Sequence, residues 1–180
     1  KEDAMALDSL ETDTKSRDIC IAVPRLSRIA NFDDLDPLSA EPDVTMVIVE
    51  AGDPLPCSAD LILIPGTKAT VADLEYIRAQ GWDIDIAAHV RRGGMVVGLC
   101  GGYQILGKRI SDPIGIEGAI GEKEGLGLLD VETVLGSDKT LEIVSGVHIA
   151  SGEKIHGYEI HIGSSEGPDR SNPWICLDDK

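Results

Sequence analysis

The chain has 180 residues, 42% of them hydrophobic, which is enough for one well-buried domain and too balanced in composition for a disordered or membrane-embedded protein. A net charge of −16 with no compensating Lys/Arg cluster repels phosphate backbones and anionic lipid, so neither nucleic acid nor membrane is an expected partner. Cys20, Cys57, Cys100 and Cys176 are too widely spaced for a C-x-x-C redox or zinc site and too few for a disulfide scaffold, and no metal site is expected. No apolar run approaches the roughly 20 residues of a membrane span and the charged N-terminus has no signal-peptide core, so the expected location is the cytoplasm.

Residues 1–18 are polar and acidic without sustained periodicity and are expected to form a linker ahead of one domain over residues 19–180. Continuous apolar runs at Ile19–Val23, Val44–Val49, Leu61–Ile64 and Met95–Leu99 are what strands of a parallel sheet, buried on both faces, require. Between the last two lies helical pattern, with Val71, Leu74 and Ile77 on one face and then Ile84, Ala87 and Ala88 on another. Arg91-Arg92-Gly93-Gly94 closes the second helix, placing cations at its C-terminal dipole and glycine where a left-handed cap is cheap. After about residue 125 the pattern alternates, over 127–134, 139–148 and 156–163, as antiparallel strands do. The expected fold is α/β, a flavodoxin-like doubly wound, mostly parallel sheet with helices on both faces and appended antiparallel strands.

The chemistry concentrates in Gly98-Leu99-Cys100-Gly101-Gly102-Tyr103-Gln104, where a buried strand runs through a glycine-framed cysteine into helical pattern. This is the form of a nucleophile elbow, whose sharp turn leaves no room for side chains on either side of the reactive residue. Free N–H groups at a helix N-terminus favour thiolate, so a reactive sulfur of lowered pKa is expected at Cys100. Cys20 reads as core and Cys57 as loop. A second strand end, Ile64-Pro65-Gly66-Thr67-Lys68, is expected to face the same crevice, and the backbone N–H groups near Gly66 and at Gly101 to form an oxyanion hole. In Gly157-Tyr158-Glu159-Ile160-His161-Ile162-Gly163, alternation puts Glu159 and His161 on one face, opposite Tyr158, Ile160 and Ile162. That makes His161 a candidate proton acceptor for the cysteine and Glu159 a weaker candidate to orient it, with a hydrogen-bonded structural histidine as the competing reading.

These segments, with Asn31-Phe32-Asp33-Asp34-Leu35-Asp36-Pro37-Leu38 and Gly125-Leu126-Gly127-Leu128-Leu129-Asp130-Val131-Glu132-Thr133, resemble the class I, triad-type glutamine amidotransferases, in the branch found at the C-terminus of cobyric acid synthase. The resemblance implies glutamine as substrate, attack on its side-chain amide by Cys100, and Gln104 as an aid to glutamine positioning. It implies no cofactor in this domain, with ATP and magnesium used by an N-terminal synthetase domain absent here, and a corrinoid substrate bound mainly outside this domain. In that family the base histidine lies in a later Tyr-Leu-His-Gly type motif. None occurs in these residues, so the base is expected some tens of residues further on. The alternatives are the sister cobyrinic acid a,c-diamide synthase, a cysteine hydrolase on the same elbow, and a catalytically incomplete binding module.

Overall fold

The computed structural model describes residues 19–30, 32–118 and 120–178, so the expected linker over 1–18 lies outside the described residues. Two compact units emerge, the first ending at Tyr103 and the second beginning at Gln104.

In the first unit, β1 (Ile19–Pro24), β2 (Val44–Val49), β3 (Leu61–Ile64) and β4 (Met95–Gly98) form one sheet in the order β2-β1-β3-β4. Every pairing is parallel, as the continuous apolar runs require. Alternation sends Ile21, Val23 and Leu63 into a cluster with Leu35 and Val44, against which Met46, Ile48, Val97 and Leu99 pack. Ala22, Ile62 and Ile64 alternate with them and are buried as well, at 1% exposure or less. The sheet therefore buries both faces. Starting from β1, it grows first to β2 and then, on the other side, to β3 and β4, which is the strand order of flavodoxin-like sheets and puts a topological switch point between β1 and β3.

The helices are α1 (Asp36–Ser39), α2 (Thr70–Gln80), α3 (Trp82–Arg91) and α4 (Gly101–Leu106). Gly81, at φ +76°, ends α2 in the left-handed conformation and its N–H reaches the carbonyls of Ile77 and Arg78. The inward face of α2 carries Leu74 and Ile77 as the periodicity predicts, with Val71 half-buried. The phase of α3 differs from expectation: Ile84 is 68% exposed, and Trp82, Ile86 and His89 face inward. Trp82 sets that phase, because burying its large indole requires a partner for Nε1–H, which donates to the Asp53 carbonyl at 2.8 Å. Its ring also meets Tyr76 edge-on, with centroids 5.8 Å apart. His89 Nε2 lies 3.0 Å from the Met95 carbonyl oxygen and ties α3 to β4.

The second unit holds β5 (Arg109–Asp112), β6 (Gly121–Glu124), β7 (Glu132–His148), β8 (Lys154–Glu166) and β9 (Ile175–Leu177). The order is β6-β5-β7-β8, with β9 added on β7. The appended strands expected at 127–134 and 139–148 are replaced by one strand, β7, that stays extended through Gly136-Ser137 and shifts register against β8 between Val134 and Lys139. Because β5 pairs with β7 in parallel, this sheet is mixed.

Candidate active site

Residue Cys100 stands between β4 and α4 at φ +49°, alone among the described non-glycine residues in having a positive φ. A β-branched or bulky residue would resist this conformation, and even cysteine is strained there by about 1–3 kcal/mol. Close approach of backbone holds it. A β-carbon added to Gly98 would lie 2.5 Å from the Gly102 carbonyl carbon and oxygen, and one added to Gly102 would lie 2.3 Å from the Ile64 oxygen. One added to Gly101 would lie 2.6 Å from Thr67 Cγ2. The turn is closed by Gly102 N–H donating to the Leu99 carbonyl at 2.7 Å, while Leu99 N–H donates to Ile64 at 3.0 Å. The three glycines thus let the end of β3 and the start of α4 touch, and the cysteine is left exposed at the bend.

Gly66 lies against this bend: a β-carbon built on it would be 3.6 Å from Cys100 Cβ and 3.4 Å from the Ala30 oxygen. The segment after β1 covers the loop after β3. Ala30 N–H donates to Gly66 at 2.8 Å, Lys68 N–H donates to Arg28 at 3.1 Å, and Ile29 bridges Thr67. Under both runs lies Asp73, a carboxylate with 0% exposure in the first turn of α2. Its Oδ1 accepts from Ser27 N–H at 3.1 Å and from Ser27 Oγ–H at 2.5 Å, and its Oδ2 accepts from Thr67 Oγ1–H. Thr67 Oγ1 accepts in turn from Ala69 N–H at 3.0 Å. Sequence reasoning missed Asp73, because an acid in a helix's first turn ordinarily reads as a solvated partner of the dipole.

The acidity of Cys100 is opposite to expectation. Burial around the sulfur pushes the thiol above its ordinary range, although the residue as a whole is exposed. A hydrogen bond from the Gly101 N–H pulls it back, and the Asp34 carboxylate pushes it up again. The helix α4 is six residues long, so its dipole adds little to that single N–H.

In the second unit, His161 is committed locally. Its Nε2 lies 2.7 Å from Glu159 Oε1 and its Nδ1 lies 3.1 Å from the Gly163 carbonyl oxygen. Gly163 stands at φ +79° beside the register shift, where a β-carbon would meet the Val134 oxygen at 2.4 Å. Gln104, 6% exposed, donates from Nε2 to the neighbouring Ile162 carbonyl at 3.1 Å. Both side chains therefore serve strand carbonyls at the bulge, where ladder bonding is interrupted. Of the other imidazoles, His148 Nδ1 meets Ser151 at 2.7 Å and His156 Nδ1 meets Ser145 at 3.1 Å, both on the β7–β8 hairpin. No group of His, Cys, Asp and Glu suited to a metal occurs among the described residues, and no helix among them is long and apolar enough to cross a membrane.

The fold is similar to that of PurLQS from Thermotoga maritima, with TM-score 0.65 at 19% identity over 91% of this chain and 76% of that one. It is also similar to a glutamine amidotransferase crystal structure, with TM-score 0.55 at 15% identity over 82% and 72% of the two chains. Among curated sequences, the cobyric acid synthase of Jannaschia sp. (strain CCS1) is 53% identical over 96% of this chain and 36% of the relative. That of Methylobacterium nodulans is 60% identical over 88% of this chain and 32% of the relative. The chain thus spans about a third of the length of the curated relatives it matches. A family model for the CobB/CobQ-like glutamine amidotransferase domain matches residues 20–179. With the parallel sheet and the glycine-framed cysteine at its edge, this match assigns the chain to the family: it belongs to the CobB/CobQ-like glutamine amidotransferase domains.

Proposed function

We propose that the chain hydrolyses glutamine with Cys100 as nucleophile, and that the ammonia serves the amidation of a corrinoid carboxylate by an ATP- and magnesium-dependent synthetase portion of the same protein, as in a cobyric acid synthase. The observation that carries the reading is the positive-φ cysteine, exposed at the end of β4 with the Gly66 loop within contact distance.

The Cys100 sulfur adds to the side-chain amide carbon of glutamine, and the C=O electron pair moves onto oxygen. Backbone N–H groups at Gly66–Thr67 and Gly101 donate to that oxyanion, a stabilisation typically worth a factor of about 10²–10³ per donor. Collapse expels ammonia once its nitrogen has received the proton that left the thiol. Water then cleaves the thioester to give glutamate. Because the resting thiol is held above its ordinary pKa, a proton acceptor is needed for the first step. We assign His161 to the bulge and not to this transfer, since both of its ring nitrogens already face acceptors on its own strand.

The test is glutamine-dependent ammonia release by the protein as its native gene encodes it. Cys100→Ser is expected to abolish release, while His161→Asn is expected to leave kcat within about tenfold. Loss of a true acid/base group costs about 10²–10⁴-fold, so a drop of that size in His161→Asn would make it the base and refute the assignment. Full activity in Cys100→Ser would refute the nucleophile.

A further inference from the structure

We infer that Asp73 is a positioning residue of the oxyanion site: by holding Ser27 and Thr67 from below, it fixes the Gly66–Thr67 peptide against Cys100. The inference rests on the glutamine-hydrolysis reading and names a part of that site which no motif marks.

The argument begins with cost. A carboxylate with 0% exposure loses its hydration, and an apolar side chain of similar size would fill the same space under the two loops. What an apolar residue lacks is the ability to hold two backbones at once. Asp73 Oδ1 takes both donors of Ser27, fixing the segment after β1, and Oδ2 takes the Thr67 hydroxyl, fixing the segment after β3. Those segments are then laced to each other through Ala30 to Gly66 and Lys68 to Arg28. Thr67 is also the residue that Gly101 must avoid, since a β-carbon on Gly101 would be 2.6 Å from Thr67 Cγ2 and 3.3 Å from Thr67 N. The side chain that Asp73 grips is therefore the one whose backbone lies over the start of α4, next to the elbow. Moving that peptide shifts an oxyanion donor without disturbing the sulfur.

This separation sets the experiment. Addition of the Cys100 sulfur to glutamate γ-semialdehyde breaks the S–H bond and forms a carbon–sulfur bond, sends the carbonyl electron pair to oxygen, which takes up the released proton in the hemithioacetal product, and so reads the oxyanion donors. Alkylation by iodoacetamide displaces iodide from a methylene and reads the sulfur alone. In Asp73→Asn the amide presents N–H groups where Thr67 needs an acceptor. Semialdehyde affinity and kcat for glutamine are expected to fall about 10²-fold, the cost of a displacement near 1 Å and the lower end of the cost of losing a single donor. KM for glutamine and the iodoacetamide rate are expected to change by less than about threefold. Thr67→Ser, which keeps the hydroxyl, is expected to behave as wild type, and Thr67→Val to follow Asp73→Asn; this pair carries the test if Asp73→Asn does not fold. Equal semialdehyde affinity in Thr67→Val and Thr67→Ser, or a parallel loss of alkylation in Asp73→Asn, overturns the inference. If the unsubstituted protein neither releases ammonia from glutamine nor adds the semialdehyde at Cys100, the hydrolysis reading itself fails and takes this inference with it.

Discussion

Replacing Gly102 with alanine puts one methyl group into the tightest point of the elbow. The added carbon would lie 2.3 Å from the Ile64 oxygen, 2.9 Å from the Pro65 oxygen and 3.0 Å from the Ile64 carbonyl carbon. All three are backbone atoms, so no rotamer change relieves the contact. Restoring an ordinary carbon–oxygen separation of about 3.2 Å requires the end of β3 and the start of α4 to part by roughly 0.9 Å, and overpacking of this kind costs about 1–3 kcal/mol. Across a chain of this size that is a fall of about 2–12 °C in Tm. The same movement separates the Gly66 loop from Cys100, and misplacement near 1 Å costs about 10²-fold in rate. The assay is a thermal melt beside semialdehyde binding and glutamine turnover. Gly157→Ala is the control, because a β-carbon there meets nothing within 4 Å. A Gly102→Ala protein with unchanged melting and wild-type turnover would show that the elbow is not held by this contact.

Site-resolved iodoacetamide alkylation of Cys100 should rise with pH to a midpoint above the ordinary thiol value of about 8.5, because thiolate is the reactive form and burial opposes it; half-maximal labelling below neutrality would contradict this. In Asp34→Asn the midpoint should move down, since that carboxylate raises the thiol pKa. Asp112 accepts the N–H groups of Ile116 and Glu117 at 2.8 Å each, and backbone hydrogen bonds hold its carboxyl below the usual range. With the folded-state pKa depressed, its stabilisation is present above the unfolded value of about 3.9 and disappears as pH falls through the folded one. Asp112→Asn should therefore melt lower than wild type at pH 7, with the gap closing on acidification; a gap that widens with acid would reverse the assignment.

The parallel sheet was legible because its strands are apolar on both faces, and the elbow because glycines on both sides of a cysteine at a strand end have no equivalent in a plain core strand. What was hidden depends on partners distant in sequence. The phase of α3 follows from Trp82 reaching the Asp53 carbonyl, a contact across 29 positions that no helical period encodes. Asp73 reads locally as a surface acid, and only its partner Ser27, 46 positions away, reveals it as a buried strut. In the second unit the alternating pattern stops after 134 and resumes at 139, yet β7 continues between them, and Gly163 on β8 takes φ +79° beside the register shift. β6 escaped notice because Gly121–Glu124 is exposed throughout and carries no apolar alternation.

The elbow separates two properties that the sequence motif suggests are joined. Its glycines act by backbone contact: Gly98 against Gly102, Gly102 against the end of β3, and Gly101 against Thr67. These contacts fix the backbone from which the sulfur projects. Acidity depends instead on solvent and on neighbouring charge, and here burial and Asp34 outweigh the one N–H that a six-residue helix offers. Both effects favour the thiol over the thiolate. On the mechanism proposed above, selectivity would come from geometry, because a protonated sulfur is slow toward adventitious electrophiles and would gain from donors at Gly66 and Gly101 only when the electrophile is a carbonyl that can place its oxygen between them. On the proposed reading of Cys100 as nucleophile, strain at φ +49° and a raised thiol pKa are compatible parts of one site: the first would aim the sulfur, and the second would keep it unreactive until such a carbonyl and a proton acceptor are both in place.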